Sequence, residues 1–305
     1  MPSTAMEWWV LTRSSAGSAG VVFSLVSSEV WSLAAMIDTV RAADVLFCHF
    51  GGMTSRLIDD PVRAPAEAAP HARDLAGLDE AITRCTACPR LVEWREEVAR
   101  VKRAAFRDQD YWGRPVPGFG PADASIALVG LAPAAHGGNR TGRIFTGDRS
   151  GDVLFRVLHD VGLASQPESV GLGDGLSLRH TRITAPVRCA PPANKPTTEE
   201  RDTCAHWLVR ELDLLRPTLR VVVVLGAFGW QALMPVLAGT SWEIPRPRPK
   251  FGHDARATLA ATDGGADLEL LGCYHVSQQN TFTGKLTPEM LRGVLEHAKE
   301  LAGVG

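Results

Sequence analysis

Along the C-terminal three quarters of the chain, short uninterrupted apolar runs alternate with segments whose apolar positions recur at helical spacing. SIALV (Ser125 to Val129) precedes a helix predicted near 150–162, and TRITAPV (181–187) precedes one that starts at Thr197, where Thr197 and Glu200 give the capping-box pattern. RVVVVLG leads into AFGWQALMPVLAG. LELLGCYH (268–275) leads into TPEMLRGVLEHAKELAG, with Thr287 as N-cap and Pro288 in the first turn. Upstream, LDEAITRC and PRLVEWREEVARVKRAAF read as helices on either side of a CTAC turn, Pro89 suiting a first helical position. The apolar runs are too continuous to keep one face in water. Strand-then-helix order with doubly buried strands predicts an α/β fold, a parallel sheet between two layers of helices.

The first 75 residues lack this order. They hold SSAGSAG, one amphipathic helix predicted from Glu29 to Phe47, and DDPVRAPAEAAPHARD, which reads as a linker. An N-terminal extension over 1–75 is therefore expected before a single domain over 76–305. Met53 is a candidate alternative start.

With 45% hydrophobic and 22% charged residues, the composition is that of an ordinary globular protein. No apolar run approaches the roughly 20 residues that cross a bilayer. The start MPSTAMEWWVLTRSS has no basic run followed by a sustained apolar stretch. A cytoplasmic protein without a membrane partner is expected. The formal charge of −2 leaves any nucleic-acid binding to local clusters of cations.

In an open α/β sheet, ligands bind beyond the carboxyl ends of the strands, where loops and helix N-termini converge. Three polar loops leave the predicted strands there: 130–151 (GLAPAAHGGNRTGRIFTGDRSG), 188–196 (RCAPPANKP) and 274–286 (YHVSQQNTFTGKL). The first is glycine-rich, which lets backbone N–H groups near Leu131 and Ala132 approach a ligand. It lacks both the Walker and the G-x-G-x-x-G pattern. Phe145, set among polar residues, is a platform for stacking a base or a core ring. Asp148, at the entry of a helix, serves equally as N-cap or as catalyst. In the second loop the amide of Asn194 could read a carbonyl beside an N–H on a base edge, or simply form a turn. In the third, His275 could donate to a developing anion or be structural.

Six cysteines are too few for a disulfide scaffold. Cys85 and Cys88 form C-x2-C, and with Cys189 and Cys204 they could supply four thiolates to zinc or to an iron–sulfur cluster; the 15-position separation of the second pair favours the bulkier group. Cys48 and Cys273 read as ordinary buried thiols. Cations gather near the same loops: Arg140, Arg143, Arg149, Arg188, Lys195, then PRPRPKFGH (Arg246, Arg248, Lys250) and Lys285. Around a base pocket they would hold phosphates, with binding that weakens steeply in salt.

Taken in order, CTACPR, GLAPAAHGGNRTGRIFTGDRSG, RCAPPANKP, PRPRPKFGH and HVSQQNTFTGKLTP closely resemble the family 5 uracil-DNA glycosylases, an iron–sulfur branch of that superfamily. The likeness runs from about Leu78 to the C-terminus. It implies a three-layer sandwich with a central four-stranded parallel sheet, and a [4Fe-4S] cluster on Cys85, Cys88, Cys189 and Cys204. It also implies a monomeric hydrolase that flips and excises uracil from double-stranded DNA, with hypoxanthine and ethenocytosine as further substrates. Carried onto this chain, the motifs make Asp148 and His275 catalytic. Leu131, Ala132, Phe145 and Asn194 would contact the base, and Arg140, Arg143, Arg246, Arg248, Lys250, Gln278, Gln279 and Lys285 the DNA. Ala134 and Ala135 stand where other branches carry a polar catalytic residue, which leaves the activation of water to another group. A non-catalytic iron–sulfur module that binds nucleic acid or senses redox state would need the cysteines and cations. It gives no reason for Asp148, Asn194 and His275 to follow three different strands.

Overall fold

A computed structural model describes residues 60–305. The helix expected over Glu29 to Phe47, Met53 and Cys48 lie outside the described residues. Six strands form one sheet: β1 (Ile126–Val129), β2 (Thr181–Thr184), β3 (Val221–Leu225), β4 (Trp242–Glu243), β5 (Arg256–Ala261) and β6 (Leu268–Cys273), in the order β2-β1-β3-β6-β5-β4. The four runs expected from the sequence are the four mutually parallel strands, β2, β1, β3 and β6. The sheet extends beyond the expected four: β5 pairs antiparallel with β6, and β4 with β5.

Nine helices occur among the described residues: α1 (Pro65–Ala68), α2 (Leu75–Thr83), α3 (Pro89–Val101), α4 (Gly138–Thr141), α5 (Arg149–Asp160), α6 (Thr198–Leu215), α7 (Ala227–Leu237), α8 (Gln278–Phe282) and α9 (Pro288–Ala302). None is long and apolar enough to cross a membrane. The period-two geometry of the strands splits each apolar run between two cores. Ile126, Leu128, Val221 and Val223 face α5 and α9, where Phe155, Leu158, Leu291 and Leu295 meet them. Ala127, Val129, Val222 and Val224 face α2, α6 and α7 through Leu78, Trp207, Leu208 and Leu233. Each fully buried aliphatic side chain contributes about 1.5–3 kcal/mol, and this two-sided burial is why the runs show no polar alternation.

Caps fix where the helices start. Thr197 and Glu200 close a reciprocal capping box on α6, and Thr287 Oγ1 accepts from Met290 N, 3.2 Å, at the head of α9. Helix α3 stops at Val101, short of the expected Phe106, because Lys102 takes a left-handed φ of 56°. The Pro/Ala-rich stretch after Asp60 is not a free linker. Val62 hydrogen-bonds the backbone on both sides of Cys85, and Ala69 and Ala72 are buried against the α2–α6 core.

Candidate active site

Loop 130–151 leaves β1 and ends on α5. Asp148 is the N-cap of α5: its Oδ1 accepts from Gly151 N at 3.0 Å. Burial lifts its pKa, offset in part by the N–H groups of Gly151 and Ser150 and by the charge of Arg140. A Cβ on Gly137 would overlap the Asp148 carboxylate, so glycine there lets the loop fold over the acid. Cap and candidate catalyst are thus one residue with two oxygens, one spent on the helix.

Phe145 holds a left-handed φ of 53°, and its ring lies over Gly130, where a Cβ would sit 2.8 Å from Cζ. The ring centroid is 6.1 Å from that of His275, tilted by 44°. His275 follows β6, and its carbonyl accepts from Asn280 Nδ2 at 2.8 Å, which ties it to the head of α8. Burial depresses its pKa, so the imidazole is neutral in the neutral range. Between these groups, no acceptor among the described residues takes the N–H of Leu131, Ala132 or Ala134. An aromatic face and a neutral imidazole therefore meet at the strand ends, and the loop that carries the aromatic also supplies unpaired backbone donors and the Asp148 carboxylate.

Asn194 belongs to the same rim but does not touch those groups. It follows β2 on a short turn, Pro192–Asn194, with φ of 55° at Asn194, is exposed, and its amide makes no hydrogen bond among the described residues. Its loop is pinned at both ends. Val187 N donates to Leu131 O, 3.2 Å, and Arg90 donates to Lys195 O, 3.3 Å, while making a two-pronged ion pair with Glu200.

The expected phosphate ligands divide. Arg246, Arg248, Lys250, Gln278, Gln279 and Lys285 are exposed. The Arg246–Lys250 loop is anchored by Trp230 Nε1 donating to Pro249 O, 3.1 Å. Arg143 is not on the surface: it is 4% exposed, paired with Asp174 at 2.8 Å and stacked over Phe119. Arg140 is half-buried and occupied by His136 O, Gly147 O and Gln109, so it braces the loop. Sequence reasoning also missed Phe282, 67% exposed on α8 with the Arg149 guanidinium 5.5 Å from its ring, and the Tyr111–His136 hydrogen bond at 3.0 Å. An apolar residue at the tip of a polar loop was the available signal for Phe282.

Behind the Asn194 loop, Cys85, Cys88, Cys189 and Cys204 line one small pocket. Cys88 is the N-cap residue of α3, Cys204 lies on α6, and Cys189 packs with Ala132 of the first loop. Burial and neighbouring thiols push Cys88 up to about 12 and Cys189 to about 11, and burial raises Cys204 too. These thiols do not ionise unaided. Among the described residues no three Cys, His, Asp or Glu groups converge tightly enough for a single ion. Four sulfurs around one pocket are a donor set that zinc or an iron–sulfur cluster could take.

A buried charge network backs this pocket. Glu211 accepts from Arg182, from Arg188 and from Thr184 Oγ1 at 2.6 Å, and Arg182 also pairs with Asp79 at 2.7 Å. Burial alone would raise the Glu211 pKa, but Arg188 and Arg182 hold it down to about 2.

Residues 117–299 match the model of the uracil DNA glycosylase superfamily. The chain is 55% identical over 233 residues to a type-5 uracil-DNA glycosylase of Mycobacterium tuberculosis, covering 76% of this chain and 84% of that one. It is 52% identical over 231 residues to the type-5 protein of Thermus thermophilus, covering 76% and 100%. With the type-5 protein of Pyrobaculum aerophilum it shares 43% over 222 residues, 73% and 91% of the two chains.

Proposed function

The chain belongs to the type-5 branch of the uracil DNA glycosylase superfamily, and we propose on that footing that it excises uracil from double-stranded DNA by hydrolysing the N-glycosidic bond. The observation that carries the reading is the contact of Phe145 with His275 at the strand ends, Phe145 lying in the same loop whose Asp148 caps α5 and whose Leu131 and Ala132 N–H groups take no acceptor among the described residues.

The target nucleotide leaves the duplex at a cost of a few kcal/mol, least for a mispaired base. Exposed Arg246, Arg248, Lys250 and Lys285 hold the flanking phosphates. The extruded base stacks on Phe145, and the free amide of Asn194 matches a carbonyl beside an N–H on its edge. As the C1′–N bond breaks, negative charge grows on the base and positive charge on the deoxyribose. The N–H groups of Leu131 and Ala132 and the neutral imidazole of His275 meet the first. Asp148 meets the second and holds the attacking water, a task that burial favours by raising its basicity. Small side chains at Ala132, Ala134 and Ala135 leave room beside the base, which supports hypoxanthine and ethenocytosine as further substrates.

The cysteine pocket suits a [4Fe-4S] cluster held by Cys85, Cys88, Cys189 and Cys204, since all four line it, three of them buried and Cys88 partly so. When bound, the cluster supplies four iron–thiolate bonds that cross-link α3, α6 and the Asn194 loop. One chain provides every group named, which fits a monomer, and reduced thiols together with a DNA substrate fit the cytoplasm.

Incubation with an end-labelled duplex containing one uracil, followed by alkali, tests the reaction. Strand cleavage at the uracil and none at thymine is expected; an intact strand would overturn the reading.

A further inference from the structure

Two cations line the cysteine pocket, Arg95 and Arg188. Arg188 has the buried carboxylate of Glu211 as its partner. Arg95 has no buried carboxylate. It is 3% exposed on the inner face of α3, in line with Leu91 and Val98. Its nearest acid, Glu96, stands 3.7 Å away with an exposed side chain. Its Nη1 donates to Cys189 Sγ and to Cys85 O, both at 3.1 Å, and its Nε has no partner. A buried charge without a buried counter-charge is costly. The pocket itself holds the missing anion once four thiolates carry a cluster, because that assembly is net negative. The same residue's carbonyl accepts from Nδ2 of buried Asn139, 3.1 Å, in the loop that leads to Phe145 and Asp148.

Resting on the cluster reading above, we propose that Arg95 is the internal counter-ion of the iron–sulfur centre: its charge retains the cluster and raises the potential at which the cluster accepts an electron. Electron uptake adds negative charge, which a neighbouring cation stabilises, so losing that cation lowers the potential.

The test compares anaerobically purified parent, Arg95→Gln, which removes the charge, and Arg95→Lys, which keeps it. Iron content, loss of visible iron–sulfur absorbance in a chelator, and the midpoint potential by voltammetry are read on each. Arg95→Gln should bleach about 10-fold faster or more and shift to a more negative potential, with Arg95→Lys close to the parent in potential. If Arg95→Gln does not accumulate folded, Arg95→Met makes the same comparison. A parent without iron would sink the cluster reading together with this role. An iron-loaded parent whose Gln and Lys variants share one potential and one bleaching rate would sink the role of Arg95 alone.

Discussion

The base pocket and the cysteine pocket both border the loop that follows β2, and both contain polar groups that the protein itself does not satisfy. The unsatisfied groups differ in kind. At the base pocket they are the N–H groups of the partly exposed Leu131, Ala132 and Ala134 and the amide of exposed Asn194. Around the cysteines they are thiols, three of them buried and that of Cys88 partly so, and a buried guanidinium. Donors that water can solvate between turnovers cost little to leave open, whereas buried charge must be matched permanently. On the proposed reading, one pocket is filled and emptied at each turnover and the other is filled once.

The largest effect should come from the permanently matched side. Glu211→Gln strands Arg188 without a counter-charge and leaves Arg182 with Asp79 alone, and should cost about 3–5 kcal/mol in urea unfolding, with excision per folded molecule little changed. A variant as stable as the parent would show that the network is not a stabilising feature. On the open side the balance reverses. Asp148→Asn keeps an acceptor for the α5 cap, so the melting temperature should hold while single-turnover excision falls about 10²–10³-fold. Equal rates would remove Asp148 from the chemistry.

The acid limb of the pH profile sharpens the same point. The carboxylate is the active form, and burial raises its pKa above the ordinary aspartate value near ~3.9. Activity should therefore begin to fall, as pH decreases, before that value is reached, and the limb should be absent from the residual rate of Asp148→Asn. A parent rate that stays flat down to that value would contradict the burial of the acid. Phe145→Ala should cost about 1–3 kcal/mol of base binding, read as weaker discrimination among damaged bases. Unchanged rates on every base would end its stacking role. Smallest per residue are the surface cations. Replacing Arg246, Arg248 and Lys250 by Gln should lower the slope of log K against log salt by about 0.9 for each phosphate that is no longer neutralised. Arg143→Gln should leave the slope alone and lower stability instead, since Arg143 is paired inside the fold.

What the sequence made legible follows the same division. The four parallel strands could be read because burial on both faces leaves continuous apolar runs. Strand β5 could not: of Arg256–Ala261 only Leu259 is fully buried, and the segment is a strand because β6 offers it an edge. That the four cysteines share one pocket was legible from spacing and family likeness, yet Arg95 was not, although an arginine in register with Leu91 and Val98 marks a charge on an apolar face. Arg143 and Arg246 look alike in sequence, since a loop has no periodicity to say which arginine points inward. Asp174, far along the chain, decides it for Arg143.

The central claim is that the side chains at 145, 148, 194 and 275 act on one extruded nucleotide. A crystal structure of the protein on a duplex carrying a uracil nucleotide whose 2′-fluoro group blocks cleavage tests it most directly. The expected result is the uracil ring against Phe145, with the Asn194 amide and His275 hydrogen-bonded to the base and Asp148 beside the sugar. A flipped base whose edge meets neither Asn194 nor His275 would contradict the account.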